Sequence, residues 1–208
     1  MPAQTDIRTK IVEAASKLIS RYGYGKTTMA DLAEACDMSP GNLYRYFPGK
    51  MEIAEQLAQQ SFDHTISALR DVVRKPGLKA TERLVKFLCT QLHVTHAQLH
   101  KDSKAFEIAE IIKRERPQLA TQNMARIRAL MAEILAAGNA SGEFNIADVV
   151  STAEMIENAT WKYHFPQLFS SLSLADLEKE LQGVVSLVLR GISCRGTAEI
   201  DALTAHRG

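Results

Sequence analysis

The chain has 208 residues, of which 46% are hydrophobic and 24% charged, a composition typical of soluble globular proteins. No signal-peptide core and no apolar run of roughly 18 residues is present, so we expect a cytoplasmic protein that does not enter a membrane. The net charge is +1, and residues 1–50 contain seven Lys and Arg against five Asp and Glu. Charge alone therefore does not indicate DNA binding. Three widely spaced cysteines without a CxxC pair argue against a disulfide framework or a zinc knuckle.

Helical periodicity extends through nearly the whole sequence. Apolar residues recur at i, i+3, i+4 and i+7, and no stretch keeps the alternation of a half-buried strand, so we predict an all-α fold. A first helix is expected from Thr5-Asp6 to Tyr22-Gly23, where glycine permits a left-handed stop. A second is predicted from Met29 to Cys36. A third begins at Pro40, with Ser39 as its cap.

A long fourth helix is predicted from Lys50 to about Val73. It would join an N-terminal domain of residues 1–49 to a C-terminal domain of residues 50–208. Lys75-Pro76-Gly77 ends it, and the rest of the chain is expected to be helical near 80–101, 104–114, 117–138, 146–165 and 174–193.

The segment 28–47 has the layout of a helix-turn-helix. Such a motif needs a bracing helix, a sharp turn and a second helix narrow enough to enter the major groove. The turn is expected at Asp37-Met38. The small core between the two helices is predicted to consist of Ala30, Leu32, Ala33, Leu43 and Phe47.

Three separated stretches agree with one family pattern. These stretches are Thr27-Thr28-Met29-Ala30-Asp31-Leu32-Ala33, then Ser39-Pro40-Gly41-Asn42-Leu43-Tyr44-Arg45-Tyr46-Phe47, then Lys50 before a long helix. Together they resemble the TetR family of repressors. The resemblance covers about residues 5–65. It implies an N-terminal DNA-binding domain and a C-terminal domain that binds a small molecule and dimerises through its last two long helices.

The resemblance also implies roles for individual residues. Thr28, Tyr44 and Lys50 would contact phosphates and set the register on DNA. Base edges would be contacted by Asn42, Arg45 and Tyr46. The expected interface consists of Thr28, Ser39, Pro40, Gly41, Asn42, Tyr44, Arg45, Tyr46 and Lys50. The alternative is an ordinary amphipathic turn in which the two tyrosines cover the edge of a core.

The last two helices are the candidates for dimerisation. Residues 146–160 and 174–192 contain more apolar positions than one buried face requires, as expected for helices of a two-fold symmetric interface. The alternative is that both are internal helices of a monomer. A dimer would present two third helices to the two halves of a palindromic operator.

Aromatic and methionine side chains are the candidates for lining an effector pocket, because they suit an adaptable apolar cavity. They are Phe62, Phe87, Phe106, Met124, Met131, Met155, Trp161 and Phe165. A second group, Cys89, His93, His96 and His100, falls within about 60° on one helix. Half-buried packing or a histidine-lined small-molecule site, with His96 and His100, is preferred over a metal-responsive site for this group.

Other functional classes have weaker support. No GxSxG, phosphate-binding glycine loop, HExxH or carboxylate pair is present, so we do not expect an enzyme or a cofactor. A helical protein-interaction module without DNA binding stays an alternative. Activation instead of repression also stays open, as do the identities of the effector and the operator.

Overall fold

A computed structural model describes residues 4–101, 105–164 and 172–193, without the side chains of 4–6, 99–101 and 105–106. The predicted all-α fold is confirmed: extended pairing in the described ranges is limited to an isolated bridge between Phe144 and Ser193. The α-helices are α1 Gln4–Tyr22, α2 Met29–Ala35, α3 Pro40–Tyr44, α4 Lys50–Arg74, α5 Ala80–Lys101, α6 Ala105–Glu115, α7 Pro117–Ser141, α8 Val149–Ala159 and α9 Leu174–Ile192. A 3₁₀ turn spans Trp161–Tyr163.

Local capping explains why most helices end close to their predicted positions. Gly23 has φ of 89° and stops α1, as expected for a glycine in the left-handed region. Asp37, with φ of 53°, forms the tight turn after α2. Ser39 accepts a hydrogen bond from the amide of Asn42, and Pro40 occupies the first position of α3.

The predicted helix at 146–165 is wrong at both ends. Asp148 caps α8, because its side chain accepts a hydrogen bond from the amide of Ser151 at 3.0 Å. Ile146 cannot join the helix, since its amide and carbonyl are both hydrogen-bonded to the side chain of Asn139. After Ala159 the chain tightens into the 3₁₀ turn. Phe165 lies outside the described residues.

The chain divides into two compact units. Among the described residues, unit 1 consists of those within 1–64 and 98–123, and unit 2 of those within 65–97 and 124–208. The helices α4, α5 and α7 contribute residues to both units. Residues 98–123 thus belong to the same compact unit as the helix-turn-helix, which the sequence did not indicate. The functional boundary at residue 49 stays a prediction.

Each unit has its own apolar core. The core of unit 1 is built from α1 to α4 and α6, with Ile11, Ile19, Leu32, Leu43, Phe47, Ile53 and Ile112 among its buried side chains. The buried side chains of unit 2 include Leu84, Phe87, Leu92, Met131, Leu135, Ile156, Leu181 and Val185. None of the helices in the described ranges combines the length and apolar content that crossing a membrane requires.

Candidate nucleic-acid interface

The helix-turn-helix consists of α2, the turn at Cys36–Ser39 and α3. Leu32, Ala33, Leu43 and Phe47 are buried between the helices, as predicted. Ala30 is exposed, so its predicted place in this core is wrong. The cause is helical geometry, because Ala30 lies about 100° around α2 from the inward-facing stripe of Met29, Leu32 and Ala33.

Thr28 is the N-cap of α2 and forms a capping box with Asp31. The hydroxyl and the amide of Thr28 donate to Oδ2 of Asp31 at 2.7 and 2.8 Å. Both hydrogen bonds from Thr28 lower the pKa of the Asp31 carboxyl, and the side-chain bond has the larger effect. A phosphate contact from Thr28, as predicted, would therefore compete with Asp31 for the same donors.

The third helix presents an exposed face opposite its buried side. Pro40, Gly41, Tyr44 and Arg45 are exposed, and the exposed fraction of Tyr44 is 50%. Asn42 is half-buried at the edge of this face. Tyr46 is also half-buried and packs against the core of unit 1. The face formed by residues 40–42, 44 and 45 is therefore available to a groove, while Tyr46 is partly committed to packing.

Gly41 is not required by the packing of the protein itself. A Cβ built at this position would meet no atom within 4 Å, and its φ lies outside the left-handed region. The fold would thus accept a larger side chain. Close approach of a partner surface, such as the floor of a DNA groove, gives a physical reason for glycine here.

Lys50, at the first position of α4, is bound within the protein. Its Nζ donates to the carbonyls of Tyr24 and Thr27, each at 2.7 Å, and lies 4.3 Å from the centre of the Tyr24 ring. Burial lowers the pKa of Lys50. The ammonium group therefore fastens the start of α4 to the loop that leads into α2. Its predicted phosphate contact would need to share these hydrogen bonds.

Arg8 is a positioning residue that sequence reasoning missed. Its guanidinium lies 4.1 Å from the centre of the Phe47 ring and donates to the carbonyl of Tyr46. Both contacts join the start of α1 to the residues just after α3. The arginine lies 38 residues before Tyr46, so no local pattern in the sequence could have indicated the pairing.

The helix α6 is tied to the loop between α1 and α2. The amide of Tyr24 donates to Oε2 of Glu107 at 2.8 Å. Arg116, just after α6, forms ion pairs of 3.5 Å with Glu52 and Glu55 on α4. Unit 1 therefore contains polar links between α6 and the elements that position the helix-turn-helix.

The predicted pocket residues have different environments. Phe87 and Met131 are buried in unit 2, while Phe62, His96 and Met124 are half-buried. Met155 is 65% exposed on α8, so it does not line an enclosed cavity of its own subunit. Trp161 is also exposed. Phe165 and the side chains of His100 and Phe106 lie outside the described residues.

In the predicted group of Cys89, His93, His96 and His100, one histidine contacts an acidic side chain. His93 is paired with Glu178 on α9. Burial, followed by the charge of Glu178, raises the pKa of the Cys89 thiol. Across the described ranges, no group of three or more His, Cys, Asp or Glu side chains has an arrangement that could hold a metal ion.

Comparison with known proteins gives consistent matches for both halves of the chain. Residues 11–57 match the family model described as bacterial regulatory proteins, tetR family. Residues 80–185 match the model described as tetracyclin repressor-like, C-terminal domain. Together these models cover the helix-turn-helix and most of the C-terminal helices.

Relatives along the whole chain have low sequence identity. The transcriptional repressor KstR of Mycobacterium tuberculosis is 25% identical over 192 residues, covering 90% of this chain and 82% of the relative. The repressor KstR2 of Rhodococcus jostii is 23% identical, covering 74% and 76%. Among solved structures, a TetR/AcrR-family regulator from Thermobifida fusca superimposes with a TM-score of 0.69 at 20% identity, covering 88% of this chain and 97% of the other.

Proposed function

The chain belongs to the TetR family of transcriptional regulators, and from this membership we propose that it is a dimeric repressor that leaves a palindromic operator when a small molecule binds. The observation that supports DNA binding most directly is the exposed face of α3. Its opposite side is anchored by Leu43, so Gly41, Tyr44 and Arg45 are presented on a fixed support. The names of the relatives KstR and KstR2, both repressors, support repression over activation.

The proposed DNA contacts divide into two kinds. Asn42 and Arg45 contact base edges, because their side chains form paired hydrogen bonds with adenine and guanine. Tyr44 contacts a phosphate and sets the register. Lys50 acts mainly through the loop carbonyls of Tyr24 and Thr27, and thereby holds α2 in place.

Dimerisation is proposed through α8 and α9. Val150 on α8 and Leu187 on α9 are exposed, with 69% of Leu187 accessible. Gly183 and Gly191 lie one turn before and after Leu187, and a Cβ at either glycine would meet nothing within 4 Å. This face of α9 therefore permits the close approach of a second helix. Two copies would bring two α3 helices to the two halves of an operator.

The proposed response to an effector requires that effector binding in the C-terminal half be coupled to DNA binding by the helix-turn-helix. The helix α4 begins beside the helix-turn-helix and continues into unit 2, which makes it a mechanical link along the chain. Within unit 1, the bond from the Tyr24 amide to Glu107 ties α6 to the loop before α2, so a shift of α6 would also reach the helix-turn-helix. A ligand that prefers one position of these helices would shift the population away from the DNA-binding form.

The DNA-binding test starts from selection of an operator out of random duplexes. We expect a palindromic consensus whose binding weakens as salt rises. Tyr44→Ala should weaken binding to every sequence, and Asn42→Ala should change which sequence is preferred. Tyr22→Ala is the matched control, because Tyr22 is 46% exposed in the same unit but lies outside α3. Equal binding by the Tyr44 and Tyr22 variants would show that α3 does not contact DNA.

The dimer is tested separately by sedimentation of purified protein. The wild-type chain should sediment at twice its chain mass at micromolar concentration. Leu187→Arg should produce monomers, because a buried unpaired charge at the interface opposes association. Ser186→Arg, on a neighbouring exposed position of α9, is the control and should stay dimeric. A dimer that persists in the Leu187 variant would exclude this face.

A further inference from the structure

Unit 2 contains buried polar side chains whose hydrogen-bonding capacity is unused. Oε1 of Gln91, Oε1 of Glu157 and both ring nitrogens of His164 have no hydrogen-bond partner among the described residues. All three residues are at most 3% exposed. Folded proteins pair the large majority of such atoms, because an unpaired buried polar group opposes folding. Their presence therefore needs an explanation other than stability.

Gln91 and His164 flank one tertiary contact. Thr95, one turn after Gln91 on α5, donates to the Gln91 carbonyl at 2.8 Å and lies 3.4 Å from the carbonyl of Tyr163. His164 directly follows Tyr163 at the end of the 3₁₀ turn. The residues beside this contact thus include two polar side chains with free capacity. On α5, Phe87 lies one turn before Gln91 and Leu92 directly follows it, and both are buried.

Glu157 differs from this pair, because one of its oxygens is satisfied. Its Oε2 accepts from Nε of Arg128 at 2.5 Å, so the carboxylate already has a counterion. A neutral imidazole with two unpaired nitrogens has a greater unmet need. The pair of Gln91 and His164 is therefore the stronger candidate for binding an external group.

The chemistry of the pair selects among ligand groups. Burial lowers the pKa of His164 to about 4, so its ring is neutral at physiological pH and offers one donor and one acceptor. Oε1 of Gln91 offers an acceptor. A hydroxyl both donates and accepts, and so matches the pair. A carboxylate cannot donate, and an ammonium group would bring an uncompensated charge into the interior.

We propose that Gln91 and His164 are the polar anchors of the effector site, and that the effector is an uncharged, mainly apolar molecule with a hydroxyl group. The hydroxyl hydrogen-bonds to both side chains, while its apolar body contacts the surrounding core. This inference rests on the proposed function, because it assumes that the C-terminal half binds an effector. A buried water that satisfies the same atoms is the competing explanation.

The test uses four probes with one apolar body: 4-tert-butylcyclohexanol, the corresponding ketone, the corresponding carboxylate and tert-butylcyclohexane. Trp161 is the single tryptophan of the chain, and its ring centre lies 5.6 Å from that of His164. Its fluorescence therefore reports binding, with calorimetry as a second readout. We expect saturable binding of the alcohol, about tenfold tighter than any other probe, as the loss of one buried hydrogen bond predicts.

Variants decide whether the preference comes from this pair. Gln91→Met and His164→Leu should each remove the preference for the alcohol, and the first is close to volume-conserving, so it should keep the fold. His93→Leu is the control on α5, because His93 is exposed and paired with Glu178. The inference is overturned if the wild type binds no probe saturably, binds all four alike, or if both variants keep the alcohol preference. A structural water predicts these same negative results.

Operator binding separates this inference from the proposed function. All variants should bind the selected operator without ligand as the wild type does, since neither anchor lies in unit 1. Operator binding without alcohol selectivity would reject only the ligand chemistry. Failure of the wild-type chain to bind any selected duplex would reject the proposed function itself.

Discussion

His164 should make the stability of the protein depend on pH in a specific window. The ring is buried, and this burial lowers its pKa from 6.5 to about 4. Because the folded-state pKa lies below the unfolded value, protons bind preferentially to the unfolded chain between these two values. The contribution to stability is therefore constant above about pH 7 and falls as the pH decreases towards 4.

The shift sets the size of the effect. Each unit of pKa difference corresponds to about 1.4 kcal/mol, so the full loss is about 3 kcal/mol when His164 is protonated in both states. At pH 5 the unfolded side chain is protonated while the folded ring is still mostly neutral. The expected loss between pH 7 and pH 5 is then about 2 kcal/mol from this residue alone.

The assay is urea unfolding of the wild type and His164→Leu at pH 7 and pH 5. Both proteins are held at one concentration, because an associated state makes stability depend on concentration. The carboxylates titrate in both proteins, so their effect cancels in the difference. The variant should lose about 2 kcal/mol less than the wild type. Equal losses in the two proteins would refute the buried, neutral state of His164.

Three further substitutions test other contacts. Gly138→Ala should destabilise the protein by about 1–3 kcal/mol in urea unfolding, because the added Cβ would lie 2.0 Å from the Phe144 ring; unchanged stability would contradict that packing. Arg128→Leu should lower the free energy of unfolding by about 3–5 kcal/mol, because it leaves the buried Glu157 without its counterion. Adding Glu157→Leu should recover most of this loss, as measured by thermal unfolding. Lys50→Met should remove two hydrogen bonds and lower the free energy of unfolding by about 1–3 kcal/mol. It should also weaken operator binding in anisotropy titrations. Operator binding equal to that of the wild type would exclude a positioning role for Lys50.

The helix-turn-helix was predictable because its determinants are local. The capping by Thr28 and Ser39, Pro40 at the start of α3, and the turn at Asp37 each act within a few residues of their place in the sequence. The same is true of the glycine that ends α1. The error at residues 146–165 arose where a side chain seven residues away, Asn139, occupies the backbone groups of Ile146.

The partners of the charged side chains were not predictable from the sequence. Lys50 looked like a free phosphate ligand, but its ammonium group binds carbonyls 23 and 26 residues away.

Met155 looked like a pocket residue, but it faces outward on α8. Periodicity identifies an apolar face, but it does not distinguish a face buried in the core from one that is available to a second chain.

The sequence by itself determined the helical class, the order of the helices and the position of the helix-turn-helix, because periodicity, caps and turn residues act over short distances. Only the tertiary structure decided that residues 98–123 join the helix-turn-helix in one compact unit, and that Arg8, Glu107 and Arg116 help to position it. It also decided that the ring nitrogens of His164 are buried without a hydrogen-bond partner among the described residues. These features depend on which distant segments pack together, and no local pattern encodes that choice.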